Sequence, residues 1–371
     1  MRALLSGGGT GGHINPALSI AKRILTESPG SEVAFVGTPK GMENRLVKKE
    51  GFKLYHVSVM GFKRKLDLRN IKAAYYAVTS VYKAKKIIKE FKPDIVIGTG
   101  GYVSWPVLKA AAQMNIPTLI HEQNAVPGVT TKLLSKYVDK VAISFEESRE
   151  YFDKKEKLFL AGNPINPEIV TKDKNVERAR LNKTKPYVLS YGGSLGARRI
   201  NEVVYEVIKN FSIKNGIQHT HAFGSSHWQQ WKENIEKDGL DKYENIEFLE
   251  YIYDMPSKMS ACDVVICRAG ALTLAELAAL NKPAILIPSP YVANNHQYKN
   301  ALVYKNANAA FIIEEKDLTP ETLSEKLEEL LFDSDKRRMM EKSVKQFEIL
   351  NADKIIYEEI VGLLKDGRNK T

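Results

Sequence analysis

The stretch Ala3-Leu4-Leu5-Ser6-Gly7-Gly8-Gly9-Thr10-Gly11-Gly12-His13, followed by Ile14-Asn15-Pro16-Ala17-Leu18, decides how the rest of the chain is read. The apolar run predicts a buried strand, the glycines a tight loop, and Ala17, Leu18, Ala21, Ile24 and Leu25 the apolar face of a helix. Asn15 as N-cap and Pro16 in the first helical position predict where that helix begins. Gly7, Gly9 and Gly12 satisfy G-x-G-x-x-G between strand and helix. In that setting glycine lets the backbone approach a phosphate, and the helix N-terminus offers unbonded N–H groups and a positive dipole end. A nicotinamide dinucleotide would need an acid after the second strand to hold its ribose. Here the strand read at 33–36 ends in Gly37-Thr38-Pro39, so the acid is missing and a plain phosphate cradle is the better reading.

Working outward, short apolar runs alternate with segments of helical period. Strands are expected at 33–36, 95–97, 117–120 and 138–143. The pattern then restarts. Tyr187-Val188-Leu189-Ser190-Tyr191 leads into Gly192-Gly193-Ser194-Leu195-Gly196 and a helix, with further strands at 246–249, 264–266 and 284–287. This rhythm predicts an α/β protein of two Rossmann-like, doubly wound halves, each with a parallel sheet. With 371 residues the chain has room for two cores. The boundary is expected at Gly162-Asn163-Pro164-Ile165-Asn166-Pro167, which gives domains 1–164 and 165–344. The C-terminal helix, about 345–371, is expected to rejoin the first half. Sites in such sheets lie beyond the carboxyl ends of the strands, so two facing halves predict an interdomain cleft.

Composition narrows the partners. Lys plus Arg exceeds Asp plus Glu by 55 − 44 = 11, which favours anionic ligands or surfaces. Cys262 and Cys267 border one apolar run and have no metal-ligand spacing, so they read as buried reduced thiols and point to the cytoplasm. The first six residues are too short for a signal peptide before the glycines begin, and no apolar run approaches the roughly 18–20 residues of a spanning helix.

Chemistry concentrates after the strands. His13 leaves the first glycine loop, where it can act as a base or bind phosphate. Gly98-Thr99-Gly100-Gly101 and 192–196 are further glycine loops at strand ends, and together the three suggest more than one phosphorylated ligand. His121-Glu122-Gln123-Asn124 are four polar residues after a strand, with Glu122 a second candidate base. Arg268-Ala269-Gly270-Ala271-Leu272-Thr273-Leu274-Ala275-Glu276 opens a helix fit to receive a diphosphate, and the Glu276 carboxylate suits a ribose diol. The amides of Asn294-Asn295-His296-Gln297 suit sugar hydroxyls. No Asp-x-Asp occurs in a metal-ligand setting, so no metal and no cofactor are expected, and a leaving diphosphate would be met by helix N-termini and loop N–H groups.

With these residues in place the chain resembles the MurG family, the undecaprenyl-diphospho-muramoyl-pentapeptide β-N-acetylglucosaminyltransferases of peptidoglycan synthesis. The likeness is carried, in order along nearly the whole chain, by residues 7–13, 100–104, 121–124, 162–164, 192–198 and 267–273. It implies a GT-B fold and an inverting, metal-independent transfer of N-acetylglucosamine. The donor is UDP-GlcNAc, and the acceptor is the C4 hydroxyl of MurNAc-pentapeptide on undecaprenyl diphosphate (lipid I). It implies donor contacts at Thr10, Gly11, Gly12, Asn124, Ser194, Ile252, Ala271, Leu272, Thr273, Leu274, Ala275, Glu276 and Gln297. Ile252 would offer its backbone to uracil and Glu276 would hold the ribose. Gly9, Gly100, Gly101 and Tyr102 fall in the loops expected to face acceptor and phosphate. His13 and Glu122 match the positions discussed as the base, and the sequence does not choose between them. One departure stands out: where some members carry Arg after Gly-Asn-Pro, this chain has Asn166.

A lipid acceptor requires a membrane surface, and the stretch 62–92 supplies one. From 63 to 92 ten Lys or Arg face two acids, interleaved with Phe62, Leu66, Leu68, Ile71, Tyr75, Tyr76, Val78, Val81 and Tyr82. Cations rimming apolar and aromatic residues suit an interfacial helix on anionic lipid. The expected location is the cytoplasmic side of the cell membrane, bound peripherally. A transferase acting on another lipid such as diacylglycerol fits the glycine loops but not residues 100–102 and 121–124. A nucleic-acid-binding module fits the charge alone, since no recognition helix or aromatic RNA platform is seen.

Overall fold

Each strand expected from the sequence enters a sheet in the computed structural model, and the strand pairings are parallel. The structure describes residues 1–60 and 69–368. Among these, β1 (Arg2–Gly7), β2 (Glu32–Gly37), β3 (Lys53–His56), β4 (Ile95–Gly100), β5 (Thr118–Glu122), β6 (Lys140–Ile143) and β7 (Leu158–Leu160) form a seven-stranded sheet ordered β3-β2-β1-β4-β5-β6-β7. Also among them, β8 (Tyr187–Tyr191), β9 (Gln218–Ala222), β10 (Ile246–Leu249), β11 (Val264–Cys267), β12 (Ala284–Leu286) and β13 (Phe311–Ile312) form a six-stranded sheet ordered β10-β9-β8-β11-β12-β13. The chain divides into Met1–Ile165 with Asn351–Thr371, and Asn166–Leu350. Both sheets run outward from their first strand and then turn back. Their switch points lie between β1 and β4, and between β8 and β11, where such sheets hold ligands.

The first sheet is buried on both faces because alternate residues of each strand face opposite ways. Leu4, Val36, Val96 and Ile120 enter one core, with Ala84, Ile88 and Phe91 of the helix Arg69–Phe91. Ala3, Leu5, Phe35, Ile97 and Leu119 enter the other, with the helix Gly11–Glu27 and the C-terminal helix Ala352–Arg368. That last helix brings Ile356 and Ile360 into the core fully buried, each contributing about 1.5–3 kcal/mol. Arg23 Nε meets Asp353 at 3.0 Å and Lys140 Nζ meets Glu359 at 2.6 Å at its edges.

The first helix starts earlier than the sequence suggested. It runs from Gly11 with Thr10 as N-cap, and Pro16 lies inside it. A proline lacks the N–H for the carbonyl four residues back, which here is Gly12. That residue belongs to the first turn, and glycine there accommodates the ring most easily.

Four strands escaped the sequence reading: β3, β7, β9 and β13. β9 is the informative one. Its Gln-His-Thr-His-Ala sequence is polar, yet His219, Thr220 and His221 are fully buried. Ser190 Oγ lies 2.8 Å from His219 Nε2 and 2.8 Å from His221 Nδ1, and Ser212 Oγ lies 2.9 Å from His219 Nδ1. A hydroxyl has one proton, so of these two ring nitrogens one accepts and the other donates. Burial keeps both rings neutral, with His219 well below the usual histidine range and His221 pushed down to about 3.

Candidate functional site

In the first unit two backbone loops meet at the switch point. Register shifts between Ser6 and Gly7, after which Gly7 pairs with Gly100. Ser104 Oγ, at the start of the helix Ser104–Gln113, lies 2.8 Å from both Ser6 O and Gly100 O, which share its one proton. The loops press so closely that a Cβ on Gly101 would lie 2.4 Å from Gly8 O, and Gly101 holds a φ of +79°. The glycines at 100 and 101 are therefore required by this close packing, whatever ligand they meet. Tyr102, in the next turn, is 61% exposed.

His13 sits in the first turn of the helix Gly11–Glu27 with its ring over Gly100. Its Nδ1 lies 3.0 Å from Gly8 O. A carbonyl only accepts, so Nδ1 carries a proton, and in the neutral ring the lone pair is therefore on Nε2. Thr99 Oγ1 donates to His13 O at 2.7 Å, which anchors the backbone behind the ring. Thr10 has its Oγ1 3.5 Å from Nδ1, too long to compete. Gly9, Thr10 and Gly12 are exposed, Gly11 is half-buried, and no acid occupies the first helical turn to oppose an anion.

The 121–124 segment is knit into the protein by its own side chains. Glu122 is buried, and its carboxylate accepts from Asn124 N at 3.0 Å, Asn124 Nδ2 at 3.1 Å and Gly128 N at 3.0 Å. His121 Nε2 lies 2.9 Å from Gly162 O, and burial pushes the ring down to about 4. Gln123 Nε2 donates to Thr99 O at 2.8 Å, and Asn163 Nδ2 donates to Gln123 O at 3.0 Å. These side chains tie the ends of β4 and β5 and the Gly-Asn-Pro segment together. Sequence reasoning singled them out as polar groups in a bad place for a core, and missed that they satisfy one another.

In the second unit the loop after β8 leans the other way. A Cβ on Gly196 would lie 2.0 Å from Phe223 O, with φ at +85°, so only glycine lets this loop rest on the turn after β9. Ser194 is exposed, and its carbonyl accepts from Ser225 N at 3.1 Å. A cavity of about 480 Å³ opens beside it, lined among others by Gly192, Gly196, Ala197, Arg199, Arg268, Ser289 and Gln297. Gln297, the second residue of the helix His296–Asn306, accepts from Ser289 N at 2.9 Å. That bond orients the amide and leaves its NH₂ and the second lone pair of its oxygen for other partners. Asn294 and Asn295 form the left-handed turn into that helix, with φ of 55° and 52°.

The helix Ala271–Ala279 follows β11 with Gly270 as N-cap and no acid in its first turn. Ala271 and Leu274 are buried, while Leu272, Thr273, Ala275 and Glu276 are half-buried. Desolvation pushes the Glu276 carboxyl up to about 7. Ile252 is buried between the exposed Tyr251 and Tyr253. Asn166 Oδ1 accepts from Glu168 N at 3.0 Å and so caps the helix Pro167–Val170.

Comparison with known proteins gives these two sites a family. Residues 3–143 match the glycosyltransferase family 28 N-terminal domain and residues 187–355 its C-terminal domain. An Acetivibrio thermocellus protein is 47% identical over 368 residues, 99% of each chain. It is named UDP-N-acetylglucosamine–N-acetylmuramyl-(pentapeptide) pyrophosphoryl-undecaprenol N-acetylglucosamine transferase. A Clostridioides difficile protein of the same name is 44% identical, covering 100% of this chain and 91% of its own. The chain belongs to the MurG family of N-acetylglucosamine transferases. The crystal structure of Acinetobacter baumannii MurG superposes with a TM-score of 0.78 at 30% identity, over 98% of this chain and 99% of that one. Both sheets therefore follow the GT-B plan of that family.

Sequence reasoning missed the MurG-family chain's own supports for its site: Gly8 O and Thr99 behind His13, and Arg268, Arg199 and Ser289 around the cavity. Arg268 lay in a stretch singled out for its neighbours and Ser289 in a turn after a strand. Their signal was position after a strand, and only the fold shows which of them line one space.

Proposed function

We propose that the chain moves N-acetylglucosamine from UDP-GlcNAc to the C4 hydroxyl of MurNAc-pentapeptide on undecaprenyl diphosphate, converting lipid I to lipid II. The observation that carries this reading is 47% identity, over 99% of both chains, to a transferase named for that substrate pair. The geometry supports His13 as the base. Its Nε2 lone pair, fixed by the Nδ1 bond to Gly8 O, takes the proton from the acceptor hydroxyl. The freed oxygen attacks the anomeric carbon from the face opposite the diphosphate. As that C–O bond forms, the bond to the β-phosphate oxygen breaks and its electron pair leaves with UDP, so configuration inverts. Glu122 is a loop-holding group in this reading, because its carboxylate is already occupied by three donors.

The donor side falls to the second unit: Gln297 donating into the cavity, the loop carrying Ser194, the first turn of the helix Ala271–Ala279, Ile252 and Glu276. In the first unit Thr10, Gly11, Gly12 and Asn124 are the donor-binding positions that membership of the family implies. Gly9, Gly100, Gly101 and Tyr102 line the acceptor side. No metal takes part, and leaving-group charge is met by protein donors.

The acceptor's lipid places the enzyme peripherally on the cytoplasmic face of the cell membrane, through the stretch 62–92. Residues 62–68 lie outside the described ones. In the part described, Ala84, Ile88 and Phe91 belong to the core, with Val81 and Ile87 packed against it. Tyr82 is 63% exposed with Lys86 Nζ 4.9 Å from its ring centroid, and Lys83 and Lys89 are also exposed. That outward face suits an anionic surface. Among the described residues no helix is long and apolar enough to cross a membrane.

The test is transfer of labelled N-acetylglucosamine from UDP to a lipid I analogue with a chelator present. Product of inverted configuration is expected. No product, or product only after metal is restored, overturns the assignment or its metal-independent form respectively.

A further inference from the structure

Arg268 opens the loop between β11 and the helix Ala271–Ala279 and lines the cavity of the second unit. It differs from the other two arginines there. The Arg198 side chain is 86% exposed and pairs with Glu202 at 2.8 Å. Arg199 donates to Leu318 O at 2.6 Å. The Arg268 side chain is only 15% exposed, with Nη1 donating to Ile287 O at 3.1 Å and Nη2 2.5 Å from Glu315 Oε2. The Glu315 side chain is also 15% exposed. A guanidinium has five N–H donors; the Ile287 bond takes one, while the Glu315 contact is an ion pair in which Oε2 has no hydrogen bond.

A cation withdrawn from water acts on an anion through a lower dielectric than an exposed one. Leaving it unpaired would be costly, and a neighbouring carboxylate offsets that cost. We propose that Arg268 is the cation that meets the diphosphate of the donor, and that Glu315 is its counter-ion while the cavity is unliganded. This rests on the reading that the cavity receives UDP-GlcNAc. The planar fork suits two phosphate oxygens at once. As the bond to the anomeric carbon breaks, negative charge grows on the departing phosphate oxygen, so the same contact strengthens towards the transition state. Glu315 touches no substrate and is a positioning residue. It holds the guanidinium at the cavity wall and, by its own charge, opposes the diphosphate.

The alternative is a pair that only fastens the loop after β11 to the segment after β13. The two readings differ in sign at Glu315. Affinities for UDP and for uridine, measured by calorimetry and by NMR titration, separate them. On the proposal Arg268→Met lowers the UDP-to-uridine affinity ratio by about tenfold or more, the scale of a charge-assisted hydrogen bond. Glu315→Gln raises that ratio severalfold, because a charge opposing the phosphates is gone. Arg268→Lys falls between wild type and Arg268→Met, with the charge kept and the fork lost; it also serves if the methionine variant does not fold. Overturning results are a ratio unmoved by Arg268→Met or Arg268→Lys, or a ratio lowered by Glu315→Gln. Failure of the underlying reading shows elsewhere: wild-type protein that binds UDP no better than ADP removes the donor assignment before any variant is compared.

Discussion

The two sheets share a strand order but treat their switch points differently. In the first unit the loops after β1 and β4 press together, with Gly101 on Gly8 O and the His13 ring on Gly100, and the nearest polar side chains are bonded inward. In the second the loop after β8 leans towards β9, Gly196 resting on Phe223 O, and a cavity of about 480 Å³ is left beside β11 and β12. Topology fixes where a ligand can sit. Which neighbour the glycine loop leans on decides whether that place is filled by packed loops and the His13 ring or left open as a cavity.

The comparison breaks most easily at His13. His13→Ala should lower kcat by about 10²–10⁴, the range of a lost general base, while KM for UDP-GlcNAc moves little because the cavity is intact. Steady-state kinetics with a lipid I analogue decides. A fall of less than about tenfold returns the base to another residue. Next in size is the membrane. Each cation near anionic lipid contributes about 1 kcal/mol, so Lys63, Arg64 and Lys65 changed to Glu should cost about a hundredfold or more in vesicle partitioning. Donor affinity, a property of the second unit, should not follow it. Sedimentation with anionic vesicles reads the first quantity, and undiminished binding moves the surface elsewhere. Third is Glu122→Gln. An amide NH₂ would confront at least one of the donors on Asn124 and Gly128, at about 1–3 kcal/mol for a buried mismatch. Thermal denaturation should show a lower Tm, with kcat of the folded enzyme within about tenfold of wild type, below the loss expected of a base. A kcat collapse at unchanged Tm would make Glu122 the base and His13 the support.

Legibility followed the same division. β1, β4, β8 and β11 were readable because central parallel strands are continuous apolar runs. β3, β7 and β13 are edge strands of four residues or fewer, too short to stand out, and β9 hides two buried histidines whose partners Ser190 and Ser212 come from other elements. The start of the first helix was misplaced because Asn15-Pro16 carries the usual start signal, yet Thr10 is the N-cap. Of the site, the glycine loops and His13 were legible as strand-loop-helix grammar. The choice between His13 and Glu122 was not, since it turns on which polar groups are already bonded to the protein. The Arg268–Glu315 pair joins residues 47 positions apart in sequence (315 − 268), and no local pattern announces it.

The smallest effect tests the second unit through its acidity. The Glu276 carboxyl is raised from 4.5 to about 7 by desolvation. If it holds the ribose, two hydroxyls donate to it, which favours the ionised form and lowers its pKa in the complex. Affinity for UDP-GlcNAc should then rise with pH up to about 7, at no more than about tenfold per pH unit for one group, and level off above. UDP-GlcNAc is the right probe because a terminal phosphate such as that of UDP itself titrates at about pH 6. Stability of the free protein carries the opposite sign. A carboxyl raised on folding favours the fold while it is protonated, so its contribution is lost as pH rises from about 4.5 through about 7. Thermal shift should accordingly show a larger gain on adding UDP-GlcNAc at pH 8 than at pH 6. Calorimetry should show a flattened pH profile for Glu276→Gln. A wild-type profile already flat between pH 5.5 and 7.5 would mean that the ribose is held by another group, and that the raised carboxyl only reflects the packing around the helix Ala271–Ala279.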